Sequence, residues 1–191
     1  ALSGHKMLAP MGIGALYGKR ELLESMPPFL TGGEMIETVS RYDAVYAELP
    51  HKFEAGTVNA GGAVGLAAAI DYLESYGMDT LHQAEEALTA YVWKGMQAIP
   101  HVHVLGSDRP ENHTGIISFT VDQVHPHDIS EIISSDGIDI RAGHHCAQPL
   151  HDYLGIHSSA RASLMFYNTK EEADRLVKSI ASIRERMGYG R

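Results

Sequence analysis

Gly115-Ile116-Ile117-Ser118-Phe119-Thr120-Val121 decides the fold, because a short apolar and β-branched run between glycine and polar residues is the signature of a strand. Reading outward, Val102-His103-Val104-Leu105 is a second such run. A helix is expected from about Pro126 to Ser135, since proline is tolerated in a first helical turn. Ile138-Asp139-Ile140-Arg141 then reads as a strand, followed by a Gly/His/Cys loop and another strand near Ala162 to Phe166. A terminal helix is predicted from Lys170 to Met187. Asn168-Thr169 supplies its cap, and Glu171 and Glu172 sit where the helix dipole favours acidic side chains. Short β runs alternating with helices make this part an α+β sandwich.

Towards the N-terminus the rhythm differs. Ala63–Tyr76 carries Val64, Ala67, Ala68, Ile70 and Leu73 at helical spacing, with Gly77 at its end. The next helix is predicted from about Leu81 to Ile99, capped by Asp79 or Thr80, with Leu88, Tyr91, Val92 and Met96 facing inward and Pro100 ending it. Pro10–Gly18 reads as a short buried strand. Lys19–Ser25 reads as one or two helical turns stopped by Pro27-Pro28, and Thr31–Gly61 as mostly irregular chain with flexible points at Gly32-Gly33 and Gly61-Gly62. A boundary near residues 77 to 82 divides the chain into 1–80, too loop-rich to close its own core, and 81–191.

Composition narrows the function. In 191 residues, 44% hydrophobic, the formal charge is −9, and the Lys and Arg residues are scattered, which disfavours nucleic acid as a partner. No apolar run approaches the roughly 20 residues that span a bilayer, and the start lacks signal-peptide order, so a cytoplasmic location is expected. Cys146 is the one cysteine, with no internal disulfide partner. Because Ala1 is not an initiator Met and the chain leads at once into Leu2-Ser3-Gly4-His5-Lys6 and a Gly-rich stretch, a fragment is expected.

Four places carry chemistry. An isolated lysine is ordinarily solvated surface. Lys6, however, follows Ser3-Gly4-His5 in a short loop entering a strand, where glycine admits a ligand close to the backbone and Ser and His supply polar hydrogens. Schiff-base chemistry uses such a lysine to attack an aldehyde. Cys146 stands in Arg141-Ala142-Gly143-His144-His145-Cys146-Ala147-Gln148-Pro149, a polar, partly cationic loop that favours a reactive thiolate over the inert buried thiol that most single cysteines are. The same residues make a poor metal site, since adjacent side chains rarely direct three ligands at one ion and no fourth stands at a zinc-like spacing. Arg161, in a small and apolar strand entry, offers a bidentate fork for a carboxylate. Thr57, after Gly56, is by itself an ordinary loop threonine whose hydroxyl can also hold a phosphate. The remaining histidines, His82, His101 and His127 among them, carry no pattern and are assigned to surface or helix ends.

Ser3-Gly4-His5-Lys6, Phe53-Glu54-Ala55-Gly56-Thr57-Val58-Asn59, Arg141-x-Gly-His-His-Cys146-Ala147 and Arg161-Ala162-Ser163-Leu164-x-x-Tyr167-Asn168-Thr169 occur in this order and span nearly the whole chain. Together they resemble the group II, or SUF-type, cysteine desulfurases and selenocysteine lyases of the class V aminotransferase family, and the spelling around Cys146 separates that group from the others. The resemblance implies an α/β protein of the pyridoxal-phosphate-dependent fold type I, comprising the end of the large cofactor domain and the α+β C-terminal small domain. It implies that Lys6 carries pyridoxal 5'-phosphate, that Ser3 and His5 touch its phosphate, and that Thr57 reaches the phosphate of the partner subunit in a homodimer. Arg161 then binds the carboxylate of L-cysteine or L-selenocysteine, with Arg141 lining the same pocket. Cys146 takes the sulfur, and His144 or His145 handles a proton. The persulfide calls for an acceptor of the SufE or SufU kind and for iron–sulfur cluster assembly. In this family an aspartate on the pyridine nitrogen, a ring-stacking histidine and further phosphate ligands precede the lysine, where this chain has five residues. The chain alone is therefore expected to be poorly active. Two other readings stand beside this one: a different class V lyase, epimerase or aminotransferase in which Cys146 is incidental, and a non-catalytic domain acting through dimerisation or partner binding.

Overall fold

The computed structural model describes residues 1–190. They fall into two compact units, Ala1–Tyr76 and the stretch from Gly77 onward.

The second unit is a four-stranded antiparallel sheet with helices packed on it. Its elements are α3 (Met78–Gln97), β5 (Val102–Val104), β6 (Ile116–Val121), α4 (Pro126–Ser135), β7 (Arg141–Gly143), α5 (Gln148–Leu154), β8 (Ser159–Ser163) and α6 (Lys170–Arg186), and the strand order is β5-β6-β8-β7. Along β6, Ile117, Phe119 and Val121 are buried while the residues between them are not, the period-two pattern of a strand with one face on a core. Register places Ile117 opposite Ala162 and Phe119 opposite Ala160, so the two alanines leave room for the larger side chains. The helices answer with period 3.6. Ala173, Leu176, Ile180 and Ile183 are buried along α6, Ile129 and Ile133 along α4, and Val92 and Met96 along α3, all in one core with the strand residues. The buried Thr89 satisfies its hydroxyl by donating to the Glu85 carbonyl at 2.7 Å.

Several sequence expectations for this unit hold. The helix Pro126–Ser135 is observed with those bounds, and Thr169 caps α6 in a capping box. In the box, the Glu172 amide donates to Thr169 Oγ1 at 3.2 Å and the Thr169 amide donates to Glu172 Oε2 at 2.9 Å. That backbone hydrogen bond, with one from Asn168, holds the Glu172 carboxyl below its ordinary pKa. Other expectations are corrected. Helix α3 starts at Met78, so Asp79 and Thr80 lie in its first turn and cap nothing; Gly77, with φ 81°, makes the corner. Tyr91 does not face inward, but directs its hydroxyl to Asp174 Oδ1 at 2.5 Å on the surface. Ile138-Asp139-Ile140 is not a strand. Strand β7 begins at Arg141 and takes in Gly143, while β8 spans Ser159–Ser163 and Leu164 closes on the Gly115 carbonyl. Both strands are shifted by two or three residues because pairing, which single-strand composition does not encode, sets their ends. The short helix α5 was also absent from the sequence reading.

The first unit has β1 (Leu2–Ser3), β2 (Gly14–Ala15), α1 (Arg20–Ser25), β3 (Ile36–Val39), β4 (Ala44–Tyr46) and α2 (Ala60–Tyr76), with β1 paired to β2 and β3 to β4. Strand Pro10–Gly18 shrinks to two exposed residues, with Leu16 and Tyr17 exposed beside them. The region Thr31–Gly61 is more ordered than expected: it holds the β3–β4 hairpin and a 3-10 turn at His51–Phe53. Gly61 and Gly62 are helical instead of flexible. Asn59 Oδ1 accepts from the Gly62 amide at 2.9 Å and so starts α2, and a side chain at Gly65 would meet Pro10 at 2.6 Å. Met35, Ala69 and Leu73 are among the few buried apolar side chains of this unit, whereas Phe29, Leu30, Val39, Tyr42 and Val64 are exposed.

Removing the α6 cap gives a direct check on the second unit. Thr169→Ala is expected to lower stability to denaturant by about 0.5–2 kcal/mol, without altering the sheet, because one amide of the first turn loses its acceptor.

Candidate active site

The first unit contributes the lysine segment. Gly4–Lys6 is a single 3-10 turn held inside the β1–β2 hairpin: the Gly4 amide donates to the Ile13 carbonyl at 2.8 Å, and the Gly4 carbonyl accepts from Met7 and Ala9. Gly4 is buried, and a Cβ there would lie 2.8 Å from Ile13 Cγ2 and 3.0 Å from the Ile13 carbonyl. Glycine is therefore required by this close approach. The turn it makes projects Ser3, His5 and Lys6, all exposed, from one short rigid segment. Thr57 is also exposed, in the bend before α2, where the Gly56 amide donates to the Gly33 carbonyl and Asn59 Nδ2 to the Gly12 carbonyl at 3.0 Å. No hydrogen bond or ion pair to other described residues engages the side chains of Ser3, His5, Lys6 or Thr57, so their polar groups are available to a ligand. A lysine amine, a hydroxyl and an imidazole in one fixed segment suit an aldehyde and a phosphate.

The second unit contributes the thiol. Pairing of β7 with β8 sets Arg141 opposite Arg161, Ala142 opposite Ala160 and Gly143 opposite Ser159. Ala160 is buried in the core, so the alternation puts Arg141, Arg161 and Ser159 on the other face. Like charges directly opposite across strands repel. Two guanidinium groups so placed make an anion site, and Arg161 Nε is buried with no hydrogen-bond partner among the described residues.

Beyond β7 the chain turns sharply. Gly143 has φ 120°, and His145 and Cys146 follow with φ 53° and 60°. Two successive non-glycine residues in the left-handed region cost about 1–3 kcal/mol each. Hydrogen bonds on both sides oppose that cost. The Ala147 amide donates to the His144 carbonyl at 2.8 Å, and His145 Nε2 lies 3.0 Å from both the carbonyl and the hydroxyl of Ser159. The result is an exposed Cys146 whose sulfur accepts from Arg141 Nη2 at 3.4 Å. Burial, followed by the Arg161 guanidinium, holds His145 below the ordinary imidazole pKa, against a raising hydrogen bond from the Ser159 backbone; His151 and Arg141 lower it further.

Within the second unit the structure thus brings Cys146 and Arg141 into contact and sets Arg161 beside Arg141 in register. Ser3, His5 and Lys6 are brought together in the first unit, with Thr57 on a separate bend. Sequence reasoning missed two residues: Ser159, which is fully buried, and His151, 5% exposed, which had been grouped with surface histidines. The one available signal for Ser159 was its two-residue spacing from Arg161, which only a correctly bounded strand makes readable. His82, His101 and His127 are exposed as expected, although His101 and His103 both engage Asp122, at 3.1 and 2.8 Å. Among the described residues no group of three or more His, Cys, Asp or Glu side chains is arranged to hold a metal ion. Nor is any helix long and apolar enough to cross a membrane.

A linkage test follows from the depressed His145 pKa. In the unfolded chain this imidazole binds its proton at a higher pH, so its contribution to stability is present above about pH 6.5 and is lost as the pH falls below it. Denaturation midpoints measured from pH 7.5 to 5 should fall, and His145→Gln should make that slope shallower.

Known proteins share this sequence and architecture. The profile for the family "Aminotransferase class-V" matches residues 1–176. A "probable cysteine desulfurase" of Staphylococcus aureus (strain COL) is 48% identical over 189 residues, 99% of this chain and 46% of the relative. A protein of the same description from Staphylococcus epidermidis (strain ATCC 12228) is also 48% identical over 189 residues. The chain spans about half the length of the curated relatives it matches. Among solved structures, the cysteine desulfurase CsdA of Escherichia coli, as its S-sulfonic acid, superposes with TM-score 0.89 at 36% identity, covering 96% of this chain and 45% of that one. The apo cysteine desulfurase of Thermococcus onnurineus NA1 does so with TM-score 0.89 at 38% identity, covering 96% and 46%. A cystine C-S lyase, C-DES, in complex with its product cysteine persulfide, gives TM-score 0.76 at 27% identity, covering 94% and 45%. With helices and strands mixed as in these α/β enzymes and a profile match over most of its length, the chain belongs to the class V aminotransferase family.

Proposed function

We propose that this chain is the C-terminal part of a group II, SUF-type, pyridoxal-phosphate-dependent cysteine desulfurase, which converts L-cysteine to L-alanine and a persulfide on Cys146. The observation that carries the reading is the exposed Cys146 sulfur, 3.4 Å from the Arg141 guanidinium on a turn that two left-handed residues hold away from the sheet. An inert structural cysteine is usually buried among apolar groups, and this one is neither buried nor in apolar company. The cysteine desulfurases among its relatives support the same reading.

The residues present fit one end of pyridoxal phosphate. The 3-10 turn that the buried Gly4 permits offers Lys6 to the aldehyde and Ser3 and His5 to the phosphate, and Thr57 is the candidate for the phosphate of the partner subunit in a homodimer. When bound, the cofactor supplies an electron sink for the carbon that loses its proton. Lys6 holds that proton on its amine and moves it. Arg161, with a donor left unpaired among the described residues, clamps the substrate carboxylate, and Arg141 lines the same face while donating to the Cys146 sulfur. Cys146 attacks the substrate sulfur, so that the S–S bond forms as the carbon–sulfur bond of L-cysteine breaks, the electron pair staying with the carbon skeleton, which takes up a proton and leaves as L-alanine. His145 or His144 handles a proton beside the thiol, and burial followed by the Arg161 guanidinium favours the neutral form of His145.

The unit Ala1–Tyr76 is then the end of the large cofactor domain, and the stretch from Gly77 onward, a few residues before the boundary expected at 80/81, is the small α+β domain. The product persulfide suits a cytoplasmic sulfur acceptor of the SufE or SufU kind and a role in iron–sulfur cluster assembly; L-selenocysteine, differing at one atom, is an alternative substrate. A second reading, a class V lyase acting without Cys146, draws on the likeness to the cystine C-S lyase.

With the cofactor-loaded protein and L-cysteine, Cys146→Ala should abolish both alanine release and the persulfide detected by mass spectrometry, whereas unchanged release would favour the lyase reading. Lys6→Ala should eliminate the borohydride-trapped cofactor adduct and lower turnover by about 10²-fold or more. Arg161→Lys should raise KM about tenfold, the worth of one lost charge-assisted hydrogen bond.

A further inference from the structure

Beneath the Cys146 loop lies a chain of polar groups, two of which, the buried Ser159 and His151, the proposed chemistry does not use. His151 Nδ1 lies 3.1 Å from the Ala147 carbonyl, and His151 Nε2 lies 3.0 Å from Ser159 Oγ. His145 Nε2 lies 3.0 Å from Ser159 Oγ and 3.0 Å from the Ser159 carbonyl. Carbonyl oxygens only accept, and this fixes every proton in the chain. His151 must carry its hydrogen on Nδ1 to donate to Ala147, so its Nε2 is an acceptor and takes the Ser159 hydroxyl hydrogen. Ser159 Oγ is then left to accept from His145, whose hydrogen must be on Nε2 to serve the Ser159 carbonyl as well. One arrangement satisfies all four contacts. It leaves His145 Nδ1 as a bare lone pair, and that atom is buried with no hydrogen-bond partner among the described residues.

The chain also grips both neighbours of the thiol. His145, before Cys146, is held by Ser159, and Ala147, after it, is held by His151. Both anchors lie at the root of the turn, on the buried start of β8 and on α5. We propose that Ser159 and His151 are positioning residues for Cys146: they lock His145 as the tautomer with its lone pair on Nδ1, and they clamp the left-handed His145–Cys146 turn that keeps the sulfur on Arg141. The other groups that face His145 are arginines and a histidine. Arg161 and Arg141 come from β8 and β7, and the His151 ring on α5 is 5.7 Å from that of His145, so among the described residues no carboxylate acts on His145 as an acceptor that would draw its hydrogen to Nδ1. The inference deepens the reading of Cys146 as the reactive thiol and rests on it only for its consequence; the tautomer stands or falls independently.

Long-range proton–nitrogen correlation spectra of the histidine rings test the lock on the unaltered chain, with His145 assigned by comparison with His145→Asn. The expected result is His145 protonated on Nε2 and bare on Nδ1, and His151 the reverse. Either ring in the other tautomer overturns the proposal. Alkylation of Cys146 by iodoacetamide at pH 7 tests the clamp. Ser159→Ala and His151→Leu should slow it about two- to tenfold, the range one lost hydrogen bond gives, and should mix the His145 tautomers. His151→Gln, whose amide can still reach one partner, should recover part of the rate. Variants that leave rate and tautomer unchanged also overturn the proposal. Failure of the desulfurase reading would instead show as unchanged alanine release in Cys146→Ala, with the spectra of the unaltered chain unaffected.

Discussion

The antiparallel register between β7 and β8 is the constraint on which the candidate chemistry depends. Three pairs, Arg141 with Arg161, Ala142 with Ala160 and Gly143 with Ser159, decide in one step which residues join the core and which face outward. A slip of one residue would send both arginines into a helix-covered interior and the alanines to the outer face. Ala160 and Ala162, buried opposite Phe119 and Ile117, oppose that slip because it would take these methyl groups out of a close-packed core and bring charged or polar side chains in. Packing on one face of the sheet therefore aims the guanidinium groups on the other.

The same register generates strain and then contains it. Bringing β7 to an end at Gly143 and turning the chain back over the sheet puts His145 and Cys146 in a backbone region that residues with a side chain avoid. A free loop would relax. Here the buried Ser159, fixed by its place at the start of β8, holds His145 from below, and a short helix holds the far side through His151. A thiol presented in this manner is exposed without being loose, which suits the nucleophile proposed for it.

The two units reach their order by different means. In the second, sheet and helices share one large apolar core, and the ends of α4 and α6 are written by proline and by a capping box. In the first, short strands and close backbone approaches at Gly4 and Gly65 do more than apolar burial, and many large apolar side chains remain on the surface. The lysine segment gains its rigidity from that backbone crowding, not from a core beneath it.

Sequence by itself determined what depends on neighbours along the chain. The caps and periodicity of α4 and α6, the apolar run of β6, and the chemical identity of Lys6, Cys146 and Arg161 were all legible, because helix signals and motif spelling are local. The tertiary structure decided what depends on pairing: the true bounds of β7 and β8, the existence of α5, the contact between Arg141 and the Cys146 sulfur, and the hydrogen bonds of Ser159 and His151. Ser159 follows Cys146 by thirteen positions and looks like any loop serine, and His151 looks like any surface histidine. Their meaning comes from a strand register and a buried hydrogen-bond chain, and a hydrogen bond between distant residues leaves no period or composition in the sequence for a reader to find.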